Sequence, residues 1–306
     1  MKSPAKISRR RFLHSSTFAA ACAASASAQQ ASAVPVPADV PGADYKIQHG
    51  RIRHSVMSWC FKPMPMEQLI DACQAMGMTA MEGIDKAFYP EMRKRGMKPS
   101  LVGSHGFKDG PSSRENHAAC IAKMREGIDL AVEYGAPGVI TFTGMRVKDL
   151  SDEQMAKNCV DCWKEVAGYA EEKGVNLCME HLNSRDNTHP MKGHPGYFGD
   201  HVDFCVDLIN RVGSPHMKLL FDIYHVQIMD GDVIRRLRQH IGTIGHIHTA
   251  GVPGRGEIDG TQELNYPAIM RAILELGYKG YTAHEFIPTW DDGLASLRHG
   301  VRMCDV

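Results

Sequence analysis

The stretch Ile244–Arg255 has the sequence Ile-Gly-His-Ile-His-Thr-Ala-Gly-Val-Pro-Gly-Arg, and it gives the first indication of both fold and site. It is a short, partly apolar run that ends in His-x-His, followed by a Gly/Pro loop that carries Arg255. Side chains alternate between the two faces of a β-strand. His246 and His248 are therefore predicted to lie on the same face.

Three other short apolar runs in the chain end in an acidic residue. These runs are Val175–Glu180, Met217–Asp222 and Tyr281–Glu285. Glu180, Asp222, His248 and Glu285 thus each lie at a predicted strand end, at intervals that suit successive βα units. In a closed barrel of parallel strands, four such ends converge on one point. Three carboxylates and one imidazole that meet there predict an oxygen-rich site for a divalent metal ion.

Each of these acidic residues also has a simpler interpretation. An acidic residue at a strand end is often the N-cap of the next helix or one partner of a loop salt bridge. That interpretation is less plausible for all four residues together, because four consecutive strands would rarely end in potential metal ligands by chance. We therefore expect Glu180, Asp222, His248 and Glu285 to be metal ligands.

The composition is that of a globular protein with balanced charge. The chain has 306 residues, 35 basic and 35 acidic, and a hydrophobic content of 43%. This content suits a buried core, and the charge balance gives no sign of a nucleic-acid surface or an anionic membrane partner. We expect a small-molecule partner, either a sugar or a keto acid, and no nucleic acid. The sequence does not determine the oligomeric state, and a homo-oligomer is possible.

The first 28 residues are predicted to form a twin-arginine export signal. Arginines in Ser8–Leu13 (SRRRFL) precede an apolar run rich in Ala and Ser, and Ala26–Ala28 (ASA) resembles a cleavage site. The alternative is a disordered basic tail. Residues 29–50 are predicted to be a linker. We therefore expect a periplasmic or secreted protein without stable membrane insertion.

Residues 51–306 are predicted to form a single (β/α)8 TIM barrel, an α/β fold, because short apolar runs alternate with longer amphipathic ones. The predicted strands are Ile52–Trp59, Thr79–Ile84, Pro99–His105, Gly138–Phe142, Val175–Glu180, Met217–Asp222, Ile244–His248 and Tyr281–Glu285. The predicted helices are Met66–Met76, Arg114–Tyr134, Ser151–Lys173, Val202–Arg211, Asp232–His240, Asn265–Leu276 and Leu294–Met303. Ser151 and Gln154 form a capping-box pattern at the third of these helices.

Three further residues are candidates for contact with a substrate. His225 comes three residues after Asp222 and could hydrogen-bond a substrate, or be a structural histidine. Arg255 could bind a carboxylate or an oxygen-rich sugar, or form a loop ion pair. Trp59, at the end of predicted strand one, could stack on a sugar or pack in the core. His246 is expected to point inward one layer deeper than His248, where a structural role is at least as well supported as ligation.

The long polar loop from Asn183 to Tyr197 is a candidate substrate lid, because it follows a barrel strand at its carboxyl end. An ordinary surface insertion is the alternative. Cys159 and Cys162 lie in a helical pattern, which favours buried structural cysteines over a redox pair.

The chain resembles the xylose-isomerase-like TIM-barrel superfamily, and within it most closely the hydroxypyruvate isomerase family. The stretches that carry the resemblance are Met179–Asn183 (MEHLN), Asp222–Gln227 (DIYHVQ), Gly245–Arg255 (GHIHTAGVPGR), Glu263–Tyr266 (ELNY) and Gly277–Gly280 (GYKG), which leads to Glu285. The resemblance implies that Glu180 and Glu285 are both metal ligands and the acid/base pair. It implies Asp222 and His248 as the remaining ligands, and His225 with Arg255 as substrate contacts. Hydroxypyruvate isomerases often have Gln at the position of His248, whereas keto-sugar epimerases of the superfamily have His.

The predicted function is a metal-dependent isomerase for a hydroxy-carbonyl substrate. Isomerisation next to a carbonyl requires removal of a proton from carbon, and a divalent ion stabilises the resulting enediolate. One ion is expected, with Mn²⁺ or Mg²⁺ favoured and Co²⁺ or Zn²⁺ left open. The alternatives are an exported keto-sugar epimerase, a keto-glycoside lyase and a non-catalytic sugar-binding barrel. A phosphodiesterase is less favoured because the balanced charge gives no sign of a DNA-binding surface.

Overall fold

The computed structural model describes residues 34–306 of the chain. The predicted export signal and the first residues of the predicted linker lie outside this range. No helix in the described part has the length and apolar character needed to cross a membrane.

Eight parallel strands alternate with helices in the described chain. They are β1 Arg53–Val56, β2 Ala80–Met81, β3 Lys98–Pro99, β4 Gly138–Phe142, β5 Asn176–Glu180, β6 Met217–Asp222, β7 Ile244–Thr249 and β8 Tyr281–His284. Six of them form one sheet in the order β1-β8-β7-β6-β5-β4, and β2 pairs with β3. Single bridges from Met57 to Glu82 and from Val102 to Val139 connect the β2–β3 pair to its neighbours. The result is the curled parallel sheet of an α/β barrel.

Nine α-helices connect the strands of the described chain. They are α1 Met66–Met76, α2 Tyr89–Lys94, α3 His117–Tyr134, α4 Asp152–Lys173, α5 Val202–Val212, α6 Ile223–Met229, α7 Val233–His240, α8 Tyr266–Glu275 and α9 Gly293–Cys304. Shorter 3₁₀ turns occupy Ser58–Phe61, Lys86–Phe88 and Arg114–Asn116. The alternation confirms the predicted arrangement of a parallel sheet with crossover helices.

Apolar helix faces pack against the outside of the sheet. In α4, Trp163 is fully buried, and its indole Nε1–H donates to Thr141 Oγ1 of β4 at 3.0 Å. A smaller apolar cluster joins Leu101 to Cys178 of β5 and Leu220 of β6. Cys178 has the same parity along β5 as Glu180, and Leu220 the same parity along β6 as Asp222. The apolar side chains of these two strands therefore give way to carboxylates at the carboxyl ends.

The start of α4 confirms the predicted capping box. The side chain of Ser151 accepts the backbone N–H of Gln154 at 3.3 Å, and the side chain of Gln154 accepts the backbone N–H of Ser151 at 2.9 Å. The helix ends at Gly174, whose φ of 66° is left-handed and is tolerated best by glycine. Cys159 and Cys162 in this helix are free thiols without exposed surface, as predicted.

Strands one to three are shorter than predicted. Strand one ends at Val56, so Trp59 lies in the following 3₁₀ turn and not in the strand. Strand two ends at Met81, so Glu82 follows the strand directly. Strand three is Lys98–Pro99 and not Pro99–His105, since the chain leaves the extended conformation at Ser100. The apolar patterns continue past these ends because the connecting segments are themselves buried.

Candidate metal centre and active site

Four predicted ligands lie at the carboxyl ends of neighbouring strands. Glu180 and Asp222 are the last residues of β5 and β6, His248 is the penultimate residue of β7, and Glu285 directly follows β8. We call Glu180, Asp222, His248 and Glu285 the four-residue cluster. Parallel strands direct their carboxyl ends to one edge of the sheet, which places these side chains together.

The strand register brings the cluster together. Asp222 pairs directly with His248 across β6 and β7. The backbone N–H of Glu285 donates to the carbonyl of Thr249, the residue after His248, at 2.9 Å. Asp222 also caps α6, since its Oδ1 accepts the backbone N–H of Tyr224 at 2.8 Å. Capping uses one carboxylate oxygen and leaves Oδ2 for the cluster.

The donor atoms of the cluster lie close to one another. His248 Nδ1 is 2.6 Å from Glu285 Oε2, 3.3 Å from Glu180 Oε1 and 4.0 Å from Asp222 Oδ2. One ligand atom from each residue lies within 4.8 Å of all the others. The side chains are nearly inaccessible to solvent, with exposed fractions from 0% for His248 to 6% for Glu285.

Burial and mutual charge shift the pKa values within the cluster. Burial raises the pKa of Glu180 to about 7, opposed by contact with His248 and assisted by the charge of Glu285. Burial also raises the pKa of Glu285, but Arg255 and His248 outweigh it and hold this pKa below its ordinary value. Burial lowers the pKa of His248, but the carboxylates around it raise that pKa well above the usual range. The two glutamates therefore have different electrostatic surroundings.

The residues fit a divalent ion. Within residues 34–306, Glu180 Oε1, Glu285 Oε2 and His248 Nδ1 are buried atoms that have no partner with hydrogen-bond geometry. Buried polar atoms are costly unless they are satisfied, and these three belong to one group of convergent donors. Three carboxylates with one imidazole form a donor set suited to Mn²⁺, Mg²⁺, Co²⁺ or Zn²⁺.

His225 lies beside the cluster in a defined tautomer. The backbone N–H and the side-chain amide of Asn183 donate to its Nδ1 at 3.1 and 2.7 Å. Burial, followed by the charge of Arg255, lowers the pKa of His225 well below its ordinary value, so the ring is neutral. The proton therefore lies on Nε2, which is 3.4 Å from Asp222 Oδ2.

Arg255 also lies at the cluster, and its loop position is strained. Its guanidinium Nη2 is 3.0 Å from Asp222 Oδ2 and 2.5 Å from Glu285 Oε2, and the residue is 2% exposed. The backbone φ of 55° is in the left-handed region, which is uncommon for a residue other than glycine. Strain of this kind occurs most often where function fixes a side chain.

Trp59 contacts the cluster from the 3₁₀ turn after β1. Its indole Nε1–H donates to Glu285 Oε1 at 3.1 Å, and the guanidinium of Arg255 lies 5.7 Å from the centre of the ring. All three predicted substrate contacts therefore adjoin the four-residue cluster.

The predicted lid is connected to the same site. Arg255 Nη1 donates to the carbonyl of Met191 in this loop at 2.8 Å, and Asn183 at the start of the loop donates to Nδ1 of His225. The loop therefore contacts the residues beside the cluster directly. Its movement as a lid stays a prediction.

One buried carboxylate at the site was missed in the sequence. Glu82 Oε1 lies 2.5 Å from His248 Nε2, and its Oε2 lies 2.7 Å from His246 Nε2. Although burial opposes the effect, His246 and His248 hold the pKa of Glu82 well below its ordinary value. The other carboxylates were predicted because each is an acidic residue at a strand end. Glu82 has the same property, since it directly follows β2. The predicted strand ran two residues beyond Glu82 and hid it.

His246 does not join the four-residue cluster. It is 1% exposed, its ring centre lies 5.1 Å from that of His248, and it faces Glu82. His246 therefore lies on the same face of β7 as His248 and one layer deeper in the barrel, as the alternation of side chains along a strand predicts. His284 lies on the other face of β8 from its neighbour Glu285, where its ring stacks on His54.

Comparison with known proteins relates the chain to isomerases and epimerases. Residues 66–304 match the sequence profile described as the xylose isomerase-like TIM barrel. The chain is 32% identical over 188 residues to a human protein provisionally named hydroxypyruvate isomerase, covering 58% of this chain and 65% of that protein. It is 34% identical over 171 residues to a 2-oxo-tetronate isomerase from Cupriavidus necator, covering 55% and 63% of the two chains. Each match therefore spans slightly less than two thirds of the relative's own length.

A similar fold occurs in the crystal structure of a 3-keto-D-glucoside 4-epimerase from E. coli. The TM-score is 0.69 at 17% sequence identity, and the match covers 83% of this chain and all of the epimerase chain. At this identity the likeness concerns the fold alone. The sequence profile, in contrast, covers most of the chain and includes every residue of the four-residue cluster. The chain belongs to the xylose isomerase-like TIM barrel family.

Proposed function

We propose that this protein is a divalent-metal-dependent isomerase of the hydroxypyruvate isomerase type, which interconverts a hydroxy-aldehyde and a hydroxy-ketone in a small substrate. The observation that carries the proposal is the presence of two buried glutamates, Glu180 and Glu285, in one cluster with Asp222 and His248. The names of the human and Cupriavidus relatives support the same class of reaction. A non-catalytic binding barrel would not need two carboxylates at the reacting position.

The cluster would hold one divalent ion, and the ion would supply Lewis-acid stabilisation of negative charge on the substrate oxygens. The protein's own groups transfer the proton. One glutamate accepts it from the carbon beside the carbonyl, and the other delivers a proton to the neighbouring carbon of the enediolate. The hydroxyl proton of the substrate passes to the former carbonyl oxygen, which completes the exchange of ketone for aldehyde. The near-complete burial of both carboxylates excludes bulk water, which strengthens their interaction with a bound substrate.

Three other side chains have supporting roles in this proposal. The neutral Nε2–H of His225 would donate a hydrogen bond to a substrate oxygen beside the cluster. The guanidinium of Arg255, already paired with Asp222 and Glu285, would hold these carboxylates in place and bring positive charge next to a substrate carboxylate or hydroxyl. Trp59 donates to Glu285 and thereby fixes the orientation of that carboxylate. The loop through Met191, which Arg255 contacts, would cover the substrate.

A second function, an exported keto-sugar epimerase or keto-glycoside lyase, is favoured by the histidine at position 248 and by the twin-arginine stretch. Hydroxypyruvate isomerases often have Gln at position 248. The fold shared with the 3-keto-D-glucoside 4-epimerase is compatible with this alternative. Both functions begin with removal of a proton beside a carbonyl, so the product distinguishes them.

Proton exchange in D₂O tests the proposal. The purified mature protein, cleared of metal and then supplied with Mn²⁺, is incubated with hydroxypyruvate, 2-oxo-tetronate, ketohexoses and 3-keto-glucosides, and the substrates are examined by NMR. The proposal predicts Mn²⁺-dependent deuterium incorporation beside the carbonyl and an aldose–ketose pair as product. An epimer or a released aglycone would favour the second function. A protein that holds metal tightly and exchanges no substrate would contradict both.

A further inference from the structure

Glu82 is a buried carboxylate that the proposed proton transfer does not use. It directly follows β2, is 1% exposed, and lies outside the four-residue cluster. It nevertheless touches one member of the cluster, since its Oε1 is 2.5 Å from His248 Nε2. A buried acidic group in this position calls for a physical explanation.

The two nitrogens of His248 face different partners. Nε2 faces Glu82, whereas Nδ1 faces Glu285 Oε2 at 2.6 Å and Glu180 Oε1 at 3.3 Å. A proton on Nε2 that is donated to Glu82 makes Nδ1 the ring atom available to the cluster. In metal sites, a carboxylate that accepts the second N–H of a histidine ligand fixes both the tautomer and the orientation of the ring.

Glu82 is itself held in place by both carboxylate oxygens and by its backbone. Its Oε2 accepts the hydroxyl of Ser100 at 2.6 Å and lies 2.7 Å from His246 Nε2. The hydroxyl of Ser100 is in turn 2.6 Å from Ser55 Oγ in β1. The backbone N–H of Glu82 donates to the carbonyl of Val56 at 2.9 Å. The carboxylate is thus fixed against β1 and the segment after β3 before it contacts β7.

We propose that Glu82 is a positioning residue, which holds His248 with Nδ1 turned toward the four-residue cluster and thereby increases the affinity of that cluster for a divalent ion. This inference rests on the metal centre of the proposed function. It assigns to Glu82 no direct contact with substrate or metal. The rigid contacts of Glu82 mean that the imidazole is oriented before any ion binds, so binding does not require the ring to be ordered.

Mn²⁺ titration by calorimetry compares the wild-type protein with Glu82→Gln and with a control, Asp305→Asn. Glutamine preserves the shape of the side chain but removes the charge that holds the Nε2 proton. Asp305 is also a buried carboxylate, but it accepts backbone N–H groups of Gln48, His49 and Gly50, away from the cluster. We expect Glu82→Gln to bind one Mn²⁺ per chain about 10- to 100-fold more weakly. Asp305→Asn is expected to bind Mn²⁺ with wild-type affinity.

A second measurement uses only the wild-type chain and decides the matter if Glu82→Gln does not fold. The protein is labelled with ¹⁵N-histidine, loaded with ¹¹³Cd²⁺ and examined by NMR. The inference predicts ¹¹³Cd–¹⁵N coupling to Nδ1 of His248 and a retained proton on its Nε2. Coupling to Nε2 would overturn it.

The outcomes separate this inference from the proposed function. A wild-type protein that binds no divalent ion overturns both. Wild-type binding with unchanged affinity in Glu82→Gln overturns the positioning role alone. Two ions per wild-type chain, one of them lost in Glu82→Gln, would overturn it as well, because Glu82 would then be a ligand of a second site with His246 and His248.

Discussion

At the residue scale, the carboxylates of the four-residue cluster are almost completely removed from water. Glu180 and Glu285 are 5% and 6% exposed. Within residues 34–306, Glu180 Oε1 has no partner with hydrogen-bond geometry, and Glu285 Oε2 has only ion pairs with Arg255 and His248. Such groups lower the stability of a fold unless a ligand satisfies them. Their presence therefore reflects function more than stability.

The substitutions Glu180→Gln and Glu285→Gln test this interpretation separately. Each is expected to lower the rate of deuterium exchange about 10²–10⁴-fold, the usual contribution of general acid–base catalysis. The thermal unfolding temperature of the metal-free protein should not fall for Glu180→Gln, because burial and the charge of Glu285 already disfavour the ionised form of Glu180. It should fall for Glu285→Gln, because Arg255 and His248 then lose a buried carboxylate partner. Glu263→Gln, an exposed change in the loop after β7, is the matched control. Wild-type exchange rates in both cluster variants would contradict the mechanism.

The residues of the cluster could be predicted from the sequence because each is an ionisable residue at the end of an apolar run. Glu180, Asp222 and Glu285 are acids after runs of hydrophobic residues, and His248 ends a His-x-His. The partners of these residues could not be predicted in the same way. Contacts such as that of Glu82 with His248 span 166 positions in the chain and depend on closure of the sheet, which brings the residue after β2 to the end of β7.

At the element scale, segments with a complete hydrophobic pattern were predicted more accurately than segments too short to show one. Helix α1 and strands β4 and β6 have the predicted bounds. Helices α2 and α6 were not predicted, because each is shorter than two full turns of amphipathic repeat. Strands β2 and β3 are two residues long, so their apolar pattern is too short to define an end.

The capping box of α4 provides a prediction about stability. Ser151→Ala removes the side-chain acceptor for the N–H of Gln154, and loss of such a cap typically costs about 1 kcal/mol. The free energy of unfolding, measured in urea, should decrease by about this amount. Enzymatic rates should be unchanged, because the cap lies outside the cluster. A decrease below about 0.3 kcal/mol would show that solvent replaces the cap.

The contact between β1 and β8 predicts a dependence of stability on pH. His54 Nδ1 lies 3.1 Å from His284 Nε2, and burial lowers the pKa of His54 to about 4. The unfolded chain, with a pKa near 6.5, therefore binds more protons between pH 6.5 and 4. The contribution of His54 is fully present above pH 6.5 and is lost as the pH falls through this window.

Urea unfolding of wild type and His54→Gln at pH 7 and pH 5 measures this effect. The wild-type protein should lose about 2 kcal/mol more than the variant between the two pH values, since one pKa unit corresponds to about 1.4 kcal/mol. Equal losses in the two proteins would show that another group causes the acid sensitivity.

At the scale of the whole molecule, the alternation of strands and helices gave the fold class, whereas closure of the barrel depends on contacts that no local pattern contains. In the part of the chain that the structure describes, isolated bridges at Glu82 and Val102 join the β2–β3 pair to its neighbouring strands. Glu82 therefore contributes both to closure of the ring and to the environment of His248.

The predicted export signal lies outside the described residues and stays a proposal. Replacing Arg9 and Arg10 with lysine is expected to abolish export by the twin-arginine route, which reads this pair directly. Cell fractionation and immunoblotting of the two forms provide the measurement. Equal amounts of both proteins in the periplasm would contradict the proposal.

The four strand-end residues are proposed to form one metal centre, and anomalous diffraction from crystals of the protein soaked in Mn²⁺ would locate the ion. We expect one strong peak within bonding distance of Glu180, Asp222, His248 Nδ1 and Glu285. The absence of a peak at full soaking, or a peak among Glu82, His246 and His248 Nε2 alone, would contradict it.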